Sequence, residues 1–97
     1  MSDLMPSLTV TSADLKLLCR CFAQGAPAPE DRRAGDELID PDIVAEVEAL
    51  LANARPDQPI AFSETAWRAF AACVEVGAEL IEGLPAYDYQ RAVRLVG

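Results

Sequence analysis

The chain has 97 residues with no histidine and a single lysine, Lys16. Without histidine there is no commonest general base, and no Ser–His or Cys–His nucleophile pair can be assembled. The Glu-x-x-His elements of di-metal carboxylate bundles are excluded for the same reason. Basic residues are few overall, 8 against 16 acidic ones, for a net charge of −8. That balance runs against a phosphate-backbone binder, which needs a basic surface to displace counterions. Glycine-rich phosphate cradles of the G-x-x-x-x-G-K-[ST] and G-x-G-x-x-G kinds do not occur. Long apolar runs are missing too: the longest in the central helix, residues 69–74, is far too short to span a bilayer. The expected protein is therefore not an enzyme, uses no cofactor, and binds neither nucleic acid directly nor a membrane.

Cysteine is sparse, with Cys19, Cys21 and Cys73. An odd count, together with an N-terminal MSDLMPSLTV that carries no basic n-region or apolar h-region, points to reduced thiols in the cytoplasm. On a helix Cys19 and Cys21 diverge by about 160°. A tetrahedral metal site would then need carboxylates or a second chain, and no metal is expected. The three thiols read as small apolar residues, with Cys19, nearest a polar edge, the most reactive of them. The acids around Asp36 lack the D-x-D-x-D-G spacing of a calcium loop.

What the chain does have is helical periodicity. Residues 63–82 carry Glu64, Arg68, Glu75, Glu79 and Glu82 in one narrow stripe. Trp67, Phe70, Cys73, Val74, Leu80 and Ile81 spread over the rest, so this helix needs cover from more than one side. Gly77 falls inside the apolar face, where it allows another helix to come close. Upstream, Thr11 with Asp14 forms a capping pattern for a helix over 12–24. Leu15, Leu18, Cys21 and Phe22 are its inner face, and Gly25 its stop. Asp40-Pro41 starts a helix over 41–55 with Ile43, Val44, Val47, Leu50, Leu51 and Ala54 inward, ended by Pro56. Residues 86–96 form a short last helix with Tyr89, Ala92, Val93 and Val96 inward and Arg91 and Arg94 outward. The fold expected is all-α: a small single-domain bundle over 1–97 with helices 12–24, 41–55, 64–82 and 86–96 and a loop over 25–40. A minor two-stranded pairing of 8–10 with 60–62 completes it.

Pro59-Ile60-Ala61-Phe62-Ser63 followed by Ala66-Trp67-Arg68-Ala69-Phe70 resembles the strand-then-helix ending of a family of very short regulator-associated proteins. The likeness covers roughly a dozen residues. It implies an extended segment feeding a capped helix; the family's tryptophan- and serine-rich first half has no counterpart here.

Charge patterning gives the functional expectation. Between residues 30 and 48 lie Glu30, Asp31, Asp36, Glu37, Asp40, Asp42, Glu46 and Glu48 against Arg32 and Arg33, so half the acids occupy one fifth of the chain. Such a stretch can steer and dock a basic surface on another protein. The expected function is a small acidic protein–protein interaction protein of the inhibitor, antitoxin, immunity or anti-defence type. One alternative is an accessory or assembly subunit bound through apolar surface. Another is a transcription regulator, which the charge disfavours. The basic bias of the last helix leaves room for homo-oligomers.

Overall fold

The computed structural model describes residues 7–36 and 39–97. Four helices, α1 (Ser12–Gly25), α2 (Pro41–Ala52), α3 (Glu64–Leu80) and α4 (Ala86–Val96), and a two-residue antiparallel pair, β1 (Ser7–Leu8) with β2 (Ile60–Ala61), make up the fold. The bundle expected from periodicity is the one observed. α1, α2 and α4 each pack against α3, and α1 also touches α4. The central element is thus the helix whose sequence has the widest apolar face.

Three of the four helix starts carry a side-chain cap, and α4, which follows Pro85, has none. Thr11 Oγ1 accepts from the Asp14 amide at 3.2 Å, Asp40 Oδ1 from Asp42 at 2.8 Å, and Ser63 Oγ from Ala66 at 3.1 Å. These bonds satisfy amides that the first helical turn leaves without partners. The ends differ from expectation. α2 stops at Ala52, because the residue before Pro56 is pushed out of helical geometry and Asn53 turns back to bond the Ala49 carbonyl through both its amide and its side chain. α3 stops at Leu80: Ile81 becomes extended and Gly83 takes φ +74°.

Gly25 is not a left-handed stop. It is the last residue of α1, and a Cβ there would run into the Cys73 carbonyl of α3. Reciprocally, a Cβ on Gly77 would run into the Cys21 carbonyl of α1. The two helices therefore cross antiparallel, backbone on backbone, at a pair of glycines.

Around this crossing lies the core, with Leu18, Cys21, Val44, Val47, Phe62, Phe70 and Val74 fully buried. Phe62 stacks on Phe70 with centroids 4.9 Å apart, Phe22 lies 6.0 Å from Phe70, and Trp67 meets Phe62 edge-on at 5.2 Å. Trp67 closes this cluster from outside and stays half-buried, whereas Phe70 is enclosed.

Three details depart from the sequence reading. The strand pair is shorter and shifted, Ser7 opposite Ala61 and Leu8 opposite Ile60. Val10 is not available to it, because its carbonyl accepts from the Asp57 amide at 2.8 Å as the chain bends into α1. Leu80 is 59% exposed rather than part of the core. Pro27 and Ile39, from the α1–α2 connection, sit beside Ala72, Cys73 and Val76, and that cover does not extend to Leu80 among the described residues. Arg91, read as outward, is only partly exposed and leans on α1. Its guanidinium donates to both carboxylate oxygens of Asp14, at 3.2 and 2.7 Å, pinning α4 to the first turn of α1. That two-pronged contact, chiefly through its hydrogen bonds, holds the Asp14 carboxyl below its ordinary value of 3.8.

Candidate functional site

The acidic stretch is folded into two groups, and the reason is helical phase. Glu46 and Glu48, two residues apart on α2, point about 160° apart. Glu46 accepts the Ser63 hydroxyl proton at 2.8 Å, beside the start of α3. Glu48 turns to the other flank, where Arg32 Nη1 lies 3.8 Å from its carboxylate.

The first group surrounds the start of α2. Asp40 Oδ2 accepts from the Gly35 amide at 2.7 Å while Oδ1 caps the helix. These backbone donors, Gly35 first, lower its carboxyl below the ordinary 3.8. Asp40 is thus committed to holding the turn after Arg33 against α2. Asp36 anchors the same turn, its carbonyl accepting from Ile39 and Asp40. Asp42 and Glu46 complete the group on the exposed side of the helix. Glu37 lies outside the described residues.

The second group comprises Glu30, Asp31 and Glu48. Pro29–Asp31 form a single 3-10 turn with both acids in it exposed. Behind that turn lies a feature that the charge pattern does not announce. A groove of about 600 Å³ runs between the end of α1, the connection after it, and the last turns of α2. Its walls include Cys19, Phe22, Ala23, Ala28, Leu51 and Ala52, and the Arg32–Glu48 pair stands at its rim. Arg32 is pinned further, its Nε donating to the Pro27 carbonyl at 3.2 Å. The hint in the sequence is the alanine–proline run after Gly25, which cannot fill the space beside α1 that a helix with large side chains would occupy.

Among the described residues, no ion pair or side-chain hydrogen bond engages the carboxylates of Glu30, Asp31 or Asp42. All three face solvent.

The cysteines stand apart from one another in role. Cys21 and Cys73 are buried beside the glycine crossing, and Cys19 is partly exposed on the groove wall. Burial pushes all three thiols above their ordinary 9.0. Cys19 is the accessible one, with no activation. No group of three metal-ligating side chains occurs among the described residues. No helix among them is long and apolar enough to cross a membrane.

On the far side, Lys16 and Arg20 lie one turn apart on α1, lining a cleft with Asp14, Asp88 and Arg91. With Arg91 paired to Asp14, α4 keeps Arg94 as an exposed cation. Comparison with family models, curated proteins and solved structures finds no match to this chain.

Proposed function

We propose that this chain is a non-enzymatic, cytoplasmic binding protein of the inhibitor or antitoxin type, which docks a basic surface of another protein through the segment 30–48. One observation carries the reading: Glu30, Asp31 and Asp42 hold solvent-facing carboxylates that the described structure does not use. Other described acids of the segment have internal work. Asp40 caps a helix, Glu48 meets Arg32 and Glu46 holds Ser63. Unpaired like charges on a molecule that already carries −8 add self-repulsion, so stability alone does not call for them.

A second reading, an accessory subunit bound through apolar surface, draws on Val76 and Leu80. They lie one turn apart on α3, 47% and 59% exposed.

The two readings separate by salt. A partner is first recovered by pull-down from the native host and identified by mass spectrometry; association is then followed by stopped flow across a salt series. Acidic docking requires an association rate that falls steeply with ionic strength, and that falls again when Glu30 and Asp31 are both changed to lysine. An association rate indifferent to both salt and Glu30/Asp31 reversal rejects it, and loss of binding in Leu80→Glu then favours the apolar face.

A further inference from the structure

We propose that the groove between α1 and α2 receives a basic amphipathic segment of the partner, its apolar side chains seated on the groove wall and a cationic side chain replacing Arg32 at Glu48. The inference rests on the acidic-docking reading and adds to it the partner's chemistry and the seat of its anchor.

Three observations meet here. The groove wall is apolar, built from Phe22, Ala23, Ala28, Leu51 and Ala52. Its edge is acidic, because Glu48 lines it and Glu30 and Asp31 follow directly on Pro29, which also lines it. Finally, the chain itself places a guanidinium at this edge: Arg32 lies between the Pro27 carbonyl at 3.2 Å and the Glu48 carboxylate at 3.8 Å. The second distance exceeds that of a well-formed charged hydrogen bond, so although Pro27 holds Arg32 in place, its pairing with Glu48, whose side chain is 52% exposed, is loose, and a better-placed cation can take over that carboxylate. A purely basic partner would leave the groove wall wet, and a purely apolar one would leave the edge carboxylates unanswered. A segment carrying both matches both, with side chains of leucine size burying apolar surface and flanking lysine or arginine supplying the charge.

The probe is an 18-residue helical peptide of leucine and lysine, compared with a charge-matched control in which each leucine is glutamine, titrated into the full chain with binding followed by NMR. The leucine peptide is expected to bind roughly tenfold or more tighter than the control. It should shift the resonances of Ala23, Ala28 and Ala52 and slow thiol labelling of Cys19. Ala23→Trp, at an exposed position, should fill the groove and abolish that preference while leaving the helical circular dichroism unchanged. Arg32→Ala should raise affinity for the leucine peptide about two- to fivefold, the worth of the rim ion pair it removes. Equal affinities for the two peptides, with shifts confined to Glu30, Asp31 and Asp42, would overturn the groove assignment and leave acidic docking standing. Failure of both peptides to bind at low salt would sink both readings. Undiminished preference in Ala23→Trp, or weaker binding in Arg32→Ala, would also overturn it, since the apolar seat or the displaced cation would then be wrong.

Discussion

Asp14 shows how one residue can be legible and misread together. Its spacing from Thr11 marks a helix start, and the start is there. Its carboxylate, though, joins Arg91, 77 positions along the chain, and local pattern carries no information about a contact at that separation. The consequence is testable. The folded-state pKa of Asp14 is lowered, so its contribution to stability is present above the unfolded value, near 3.8, and is lost as pH falls through the folded value. Asp14→Asn is expected to lower unfolding free energy by roughly 1–2 kcal/mol at pH 7, the range for a charge-assisted hydrogen-bonded contact at a partly wet site. The gap between variant and wild type should close below the ordinary carboxyl range. Urea melts of both proteins at pH 7 and pH 3 check this, and a gap that persists undiminished at pH 3 would place the stabilisation elsewhere. The thiols supply a second residue-scale outcome. Because burial raises all three and leaves only Cys19 accessible, a thiol reagent at pH 8 should modify one cysteine slowly in the native protein and three in urea. Mass spectrometry counts the adducts, and rapid native labelling of Cys21 or Cys73 would contradict the packed glycine crossing.

At the scale of the element, much was legible because periodicity and caps act locally. α1, α2 and α3 begin at Thr11, Asp40-Pro41 and Ser63, and α4 begins at Ala86, where its periodicity places it. Their ends were less so: the sequence carries α2 and α3 further than the structure does, since a chain leaves a helix according to where the next contact draws it. Gly77 could be read as a site of close approach, whereas Gly25 reads as a stop until its neighbour across the crossing is known. That pair gives a sharp expectation. Gly77→Ala improves helix propensity by about 1 kcal/mol, yet its Cβ falls on the Cys21 carbonyl, backbone that cannot move aside. The net effect should be destabilisation by roughly 1–3 kcal/mol, as for overpacked cores. A thermal melt at or above the wild-type midpoint would show that the helices can separate without cost. Phe70→Ala, in the enclosed aromatic cluster, should cost about 3–5 kcal/mol. Trp67→Ala should cost less, because that ring is only partly buried.

For the whole molecule, the sequence makes the charge total plain but not its arrangement. The seven described acids between residues 30 and 48 become two groups, split across α2 because consecutive helical positions turn by 100°, and Arg91 is paired with Asp14. What is left exposed is a net charge of −8 with Glu30, Asp31 and Asp42 unanswered in the described structure. Salt acts on two opposed terms. It weakens ion pairs such as Arg68–Glu64, 2.7 Å apart and exposed, and it relieves repulsion among the unpaired acids. Exposed pairs are worth little singly, while repulsion sums over the whole surface, so relief should win. Raising sodium chloride from about 10 to about 200 mM shortens the screening length from roughly 30 to below 10 Å. The melting midpoint is expected to rise by roughly 2–4 °C, the shift that half a kcal/mol makes in a domain of this length. Glu30→Lys with Asp31→Lys should produce part of that rise at low salt and reduce the further gain from salt, because the same repulsion has already been removed. The same double variant is the one expected to slow docking of a basic partner. Stability gained and association lost in one protein would mean that these two carboxylates are held at a cost to the fold; a midpoint that falls on reversal would instead give them a structural role and remove the main support for acidic docking.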